Sequence, residues 1–140
     1  MRELALNVMD ITQNSISAGA TLIHITVEEN TGKDRLSIAV EDNGCGMTEE
    51  QVKSVIDPFY TTRTTRKVGL GVPLFKMEAE MTGGSFRIDS EKGKGTKLLE
   101  EFVPSHVDMI PLGNITDTVF LLITCNPSLD FVYRRVKDEA

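Results

Sequence analysis

Polar and apolar positions change their period several times along this chain, and each change marks an element. From Glu3 to Ala18, at about 100° per residue, Leu4, Ala5, Val8, Met9, Ile11 and Ile16 gather on one arc, which predicts an amphipathic helix. Glu3, Asn7, Asp10, Asn14 and Ser17 gather on the opposite arc. Gly19 stops the helix, and in "TLIHITVEE" the period falls to two, with Thr21, Ile23, Ile25 and Val27 on one face and Leu22, His24, Thr26 and Glu28 on the other. Beyond the turn "NTGKD", the stretch "RLSIAVED" puts Leu36, Ile38 and Val40 on one face, so the two strands form a hairpin. Asp42 has the same parity as those three apolar residues.

After the glycine turn "NGCGM", Thr48 and Gln51 have the spacing of a capping box, and "EEQVKSVI" predicts a short helix that "DP" ends. The stretch "FYTTRTTRKVGLG" has neither period; it predicts a mobile loop, carrying Arg63, Arg66 and Lys67, that feeds the helix "VPLFKMEAEM" through Gly69 and Gly71. Gly83 and Gly84 end that helix, and "SFRIDS" and "TKLLEEFV" flank the turn "EKGKG" as a second pair of strands closed by Pro104. The remainder predicts a strand over "DTVFLLITCN" and an amphipathic helix over "PSLDFVYRRVKDE", capped by Asn126 or Ser128. Helices alternating with antiparallel hairpins predict an α/β fold: a two-layer α/β sandwich, with helices on one face of a mixed, mostly antiparallel sheet.

Composition narrows the function more than the fold. A chain of 140 residues, 40% hydrophobic, suits one domain with one core. A net charge of −6 argues against nucleic acid or an anionic membrane as partner, because both are met through clustered Lys and Arg. The basic loop therefore stands out against its background. Cys45 and Cys125 lie far apart without metal-ligand spacing, which suits a reducing compartment and a role as small filler residues. The N-terminus does not read as a signal peptide and no apolar run has the length of a membrane span, so the expected location is cytoplasmic.

Three polar groupings carry candidate chemistry. Asp10 and Asn14, at i and i+4, place both side chains on one helix face, about 6 Å apart at Cβ. That face is either an ordinary solvated surface or one wall of a site; no Lys or Arg occurs between Arg2 and Lys33, and an amide oxygen beside a carboxylate suits Mg²⁺ and proton transfer. Asp42, on an apolar face and followed by Gly44 and Gly46, either caps a turn with Asn43 or awaits a ligand amine, with Met47 as an adaptable apolar wall. In the third grouping, Thr61, Thr62, Arg63, Arg66 and Lys67 precede two glycines and a helix N-terminus, where backbone N–H groups favour phosphate. The bland alternative there is a flexible surface loop.

In order and spacing, "DITQNSISAGATLIHI", "EDNGCGM", "DPFYTT", "GLGVPLF" and "GKGT" resemble the five sequence boxes of the GHKL superfamily, the Bergerat-fold ATP-binding domain shared by gyrase B, the heat-shock chaperone, histidine kinases and MutL. "NSISAGAT" is most similar to MutL; "DPFYTT" and "GLGVPLF" are similar to histidine kinases. The resemblance covers roughly residues 3–104, implying an ATP-binding domain over 1–104, with 105–140 as a strand and helix added to the same domain. It implies ATP and Mg²⁺ as ligands, Asn14 on the metal, Asp42 accepting from the adenine amino group, and Gly44, Gly46 and Met47 shaping the adenine pocket, with Thr96 near the base. It further implies an ATP lid from Phe59 to Gly71, so that Thr61, Thr62, Arg63, Lys67, Gly69, Leu70, Gly71 and Val72 face the nucleotide, and it makes Asp10 the catalytic general base.

Asp10 stands where Glu is usual, one methylene shorter, and Lys67 and Val68 replace the glycine that often opens the histidine-kinase run. No dimerising hairpin with a phosphoacceptor histidine is present; His24 falls mid-strand and His106 in an irregular stretch, both expected to be structural or solvated. The leading expectation is a histidine-kinase-like module that passes the γ-phosphoryl group to a separate partner protein. An ATPase conformational switch, with a homodimer as one form of it, and a module that binds ATP without turnover are the alternatives.

Overall fold

The computed structural model of the chain describes residues 3–56 and 71–138. The elements run α1 (Leu4–Ser17), β1 (Leu22–Asn30), β2 (Arg35–Asp42), α2 (Glu49–Val55), α3 (Gly71–Met81), β3 (Ser85–Glu91), β4 (Gly95–Phe102), α4 (Ile115–Cys125) and β5 (Asp130–Lys137). The five strands form one sheet in the order β3-β4-β2-β1-β5. β1–β2, β2–β4 and β3–β4 are antiparallel and β1–β5 is parallel, which is the mixed sheet that the alternation of elements predicts.

Strand alternation decides which face is dry. Ile23, Ile25 and Val27, Leu36, Ile38 and Val40, and Leu98 and Phe102 are buried together with Leu4, Val8 and Ile11 of α1, Phe75 and Ala79 of α3, and Ile115 and Val119 of α4. Helices cover that face, giving the two-layer sandwich. No side chain caps the start of α1; instead the amides of Leu4 and Ala5 donate to the carbonyls of Pro111 and Leu112, each at 2.9 Å. Those bonds satisfy two of the four orphan donors of the helix and tie α1 to the segment before α4. At α2 the capping box forms as expected, with Gln51 N donating to Thr48 Oγ1 at 3.2 Å and Thr48 N to Gln51 Oε1 at 2.9 Å.

Three expectations are corrected. Asn7, placed on the polar arc of α1, is completely buried, and its amide donates to Glu78 of α3. A lone amide can leave the polar arc when a carboxylate on the facing helix replaces water as its partner. The second correction exchanges the two C-terminal elements: "ITDTVFLLITC" is helix α4 and "DFVYRRVK" is strand β5. The apolar run of α4 mimics a buried strand, but its buried residues Ile115, Val119 and Leu122 recur at i, i+4 and i+7, while Phe120, Leu121 and Ile123 are exposed. Asn114 caps it by accepting from Asp117 N at 3.0 Å, and Asn126 closes its end, donating to Leu122 O at 2.8 Å rather than opening a helix. In β5, Phe131 and Tyr133 alternate toward the core, and pairing from Leu22↔Asp130 to Glu29↔Lys137 supplies the partner that a single-segment pattern cannot show. Third, Cys45 and Cys125 are both exposed and free, not filler within the core.

One core residue works against stability. Glu100 on β4 faces the helices, is fully buried, and neither carboxylate oxygen has a hydrogen-bond partner among the described residues. Burial pushes its pKa well above the ordinary 4.5. The folded state therefore holds this proton more tightly than the unfolded chain, so the associated stability is fully present below about pH 4.5 and is lost as pH rises toward the folded pKa. Glu100→Leu is expected to stabilise the domain by about 1–3 kcal/mol at pH 8, since it removes an unpaired buried carboxyl. Urea unfolding at pH 5 and pH 8 checks this: the gain is larger at pH 8, and an equal or reversed effect contradicts it.

Candidate functional site

The site grows from the end of β2. Asp42 is the last residue of that strand, on the helix-facing side, where a carboxylate must be compensated. Its Oδ2 accepts from Ser15 Oγ of α1 at 2.7 Å and its Oδ1 accepts from Gly44 N at 2.8 Å. The turn-capping bond is therefore present, and it does not exhaust the group. An ionised carboxylate offers about four lone pairs and no proton, so Asp42 can still accept from a ligand amine. The two protein donors fix its orientation.

The turn after Asp42 is docked on three sides. Asn43 Oδ1 accepts from Thr21 N at 2.8 Å and Leu22 N at 3.0 Å, holding the start of β1. Cys45 N donates to Ala18 O at 2.9 Å and Cys45 O accepts from Gly93 N at 2.7 Å, clamping the turn between the end of α1 and the β3–β4 turn. Met47 N donates to Ser90 Oγ at 2.8 Å. Gly46 has φ +69, and a Cβ there would lie 2.0 Å from the carbonyl oxygen of Glu91. A Cβ on Gly44 would meet the Ala18 methyl and Asp42 Oδ1, each at 3.0 Å. Gly46 is thus required by close approach of the turn to protein, a sharper reason than room for a flat ring, and Gly44 sits in a tight but less demanding contact.

Across the β2–β4 ladder Asp42 stands opposite Thr96. Thr96 Oγ1 lies 2.8 Å from Ser90 Oγ on β3, and Ser90 Oγ also donates to Gly95 O at 3.0 Å. A depression of about 330 Å³ lies over these strand ends, but Glu41, Asp89 and Lys97 also line it, and their parity puts them on the sheet face away from the helices. Neither Asn14 nor Asp10 lines it. Asn14, half-buried, immediately precedes the Ser15 that binds Asp42, while Asp10 is exposed one turn earlier on α1.

The structure thus brings Asn14, Asp42, Gly44, Gly46, Met47 and Thr96 to one end of the sheet and helix layer. Thr61, Thr62, Arg63, Lys67, Gly69 and Leu70 lie outside the described residues. Gly71 opens α3, and Val72 is buried in the core, so its side chain does not face a ligand and only its backbone N–H, in the first turn of a helix, could serve one. Among the described residues no group of three or more His, Cys, Asp or Glu is arranged to hold a metal ion. His24 is half-buried in β1, and His106 Nδ1 accepts from Asp108 N at 3.0 Å.

Two residues that hold the site escape a reading of motifs. Ser15 and Ser90 are ordinary polar residues in sequence, but each is detectable by parity. Ser15 lies four residues after Ile11 on the buried side of α1, and Ser90 has the parity of Phe86 and Ile88 in β3.

Residues 1–105 match the family described as histidine kinase-, DNA gyrase B- and HSP90-like ATPase. Among curated relatives, the sensor protein DegM of Bacillus sp. (strain B21-2) is 32% identical over 91 residues, 65% of this chain and 24% of DegM. The sensor protein SrrB of Staphylococcus aureus (strain NCTC 8325 / PS 47) is 38% identical over 104 residues, 71% of this chain and 17% of SrrB. The chain thus spans less than a quarter of the length of either. Among the described residues, no helix is long and apolar enough to cross a membrane.

Proposed function

Because this chain belongs to the histidine kinase-, DNA gyrase B- and HSP90-like ATPase family, an ATP-binding domain, we propose that it binds Mg·ATP at the Asp42 end of the sheet and passes the γ-phosphoryl group to a separate partner protein. The observation that carries the reading is the carboxylate of Asp42, oriented by Ser15 and Gly44 and left with accepting capacity toward the adenine amino group. Thr96 stands beside it on the neighbouring strand, and Gly44, Gly46 and Met47 form the docked turn that closes this end. Residues 1–104 are the nucleotide-binding unit in this reading, with 105–140 completing the same domain.

Asn14 is the residue that would hold Mg²⁺, through its amide oxygen. When bound, the ion neutralises charge on the phosphates and lowers the barrier to their transfer. In this reading Asp10, exposed on α1 one turn before Asn14, is the group that orients the attacking hydroxyl or water and takes its proton. The lid residues Thr61, Thr62, Arg63, Lys67, Gly69 and Leu70, with the backbone at Gly71 and Val72, complete the phosphate side. Like DegM and SrrB, named as sensor proteins, such a domain acts in signalling when a partner supplies the acceptor side chain.

The test mixes the chain with γ-labelled ATP, with and without candidate partner proteins. Label on a partner supports transfer; label found only as free phosphate favours the ATPase switch instead, and tight binding with neither favours a binding module. Asp10→Asn is expected to slow transfer or hydrolysis by about 10²–10⁴-fold with nucleotide affinity retained, while Asn14→Ala lowers Mg·ATP affinity. Unchanged turnover in Asp10→Asn removes Asp10 from the base role.

A further inference from the structure

Ser90 lies outside every recognised motif of this chain, yet it is bonded to three groups at the base end of the site. Its hydroxyl accepts from Met47 N at 2.8 Å, contacts Gly95 O at 3.0 Å, and contacts Thr96 Oγ1 at 2.8 Å. A serine hydroxyl has one hydrogen and two lone pairs. Gly95 O is a carbonyl and can only accept, so the Ser90 hydrogen goes there. The Met47 amide takes one lone pair of Ser90. The remaining contact closes only if Thr96 donates its hydroxyl hydrogen to the other lone pair. All three valences of Ser90 are then used, and Thr96 has no hydrogen left for a ligand.

We propose that Ser90 is a specificity-determining positioning residue: by accepting a hydrogen bond from the Thr96 hydroxyl, it leaves Thr96 only lone pairs to offer a ligand, beside the acceptor Asp42. The two are cross-strand partners on the same face, with Cβ atoms about 4.5–5.5 Å apart, a span that one exocyclic amino group with two hydrogens can bridge. A 6-amino purine satisfies both. A 6-oxo purine in the same pose turns its carbonyl lone pairs toward both acceptors, and its N1–H reaches one of them only if the base shifts, so it binds more weakly. Asp42 is locked in its role by Ser15 and Gly44, so Ser90 is the switchable half of the reader.

This inference rests on the ATP reading above, and the experiment separates the two. Kd values for Mg·ATP and Mg·ITP are measured by calorimetry on the full chain and on Ser90→Ala, Ser90→Thr and Thr96→Val. In Ser90→Ala the Thr96 hydroxyl is released to donate to a 6-oxo group, and the ITP-to-ATP ratio of Kd falls by about tenfold, one hydrogen bond exchanged in sign. Ser90→Thr, which keeps the hydroxyl, restores the wild-type ratio; a general loosening of the turn would weaken both nucleotides together. If Ser90→Ala does not fold, Thr96→Val decides: it loses ATP affinity without gaining ITP affinity. A ratio unchanged in Ser90→Ala, or ATP affinity unchanged in Thr96→Val, overturns the proposal, whereas a wild-type chain that binds neither nucleotide overturns the ATP reading itself.

Discussion

Asp42→Asn is expected to abolish useful ATP binding while leaving the fold intact. The amide has the shape of the carboxylate, and its oxygen can keep the bond from Gly44 N, while the Ser15 hydroxyl rotates to accept from the new NH₂ group. The rotated arrangement points a donor at the base where two lone pairs stood. An amino group then meets a donor, and the loss of a charge-assisted bond plus that repulsion costs about 1.5–3 kcal/mol or more, roughly 10- to 150-fold in Kd. Calorimetric titration with Mg·ATP, paired with thermal unfolding of the free protein, separates the two effects. ATP affinity within twofold of wild type would remove Asp42 from the site, and with it the placement of the nucleotide at this end of the sheet.

Gly95→Ala is expected to be the most damaging single methyl group on the β3–β4 turn. Gly95 has φ +137, and a Cβ there would lie 2.0 Å from Asp42 O and 3.0 Å from Asn43 Cα. Both neighbours are backbone and cannot rotate away. The ends of β2 and β4 must separate, which moves Asp42 and Thr96 together, so stability and nucleotide affinity fall in one step. A cost of about 3 kcal/mol or more follows from strain and lost ladder bonds, about 10–15 °C in Tm for a domain of this size. Gly93 is the internal control. It also has positive φ, +87, but a Cβ there meets nothing within 4 Å, so Gly93→Ala is limited to about 1 kcal/mol of backbone strain. Equal melting temperatures for the two variants would show that close approach at Gly95 is not what holds the strand ends together.

Pattern alone reached far into this molecule. Period changes place α1, β1, β2, α3, β3 and β4, because each turns one face to the core and has its own stop signal, such as Gly19 or the Gly83–Gly84 pair, while the capping box of Thr48 and Gln51 places α2, which buries no residue. Pattern failed where a segment is apolar throughout. In α4 the exposed Phe120, Leu121 and Ile123 fill the positions that would have shown helical periodicity, and β5 gains its identity only by lying along β1. Asn7 was misplaced for a related reason: a sequence can mark a polar residue, but not the Glu78 that replaces water for it from 71 positions away.

Within the site, the chemistry-bearing types were legible and their supports were not. Asp42 is marked by sitting on an apolar parity, and Asn14 by its place on an uncommonly cation-poor helix face. Ser15 and Ser90 share that inward parity, but a small hydroxyl there does not announce which group it will bond. By itself, then, the amino-acid order determined the kinds of element, the order in which they come, the dry face of each and the residue types able to meet a nucleotide, because periodicity and side-chain chemistry are local properties of the chain. Tertiary structure alone decided which residues orient those groups, why Gly46 and Gly95 must be glycine, and how the last two elements are assigned. Each of those depends on an atom brought near from elsewhere in the chain: Ser15 to Asp42, Glu91 to Gly46, Asp42 to Gly95 and β1 to β5.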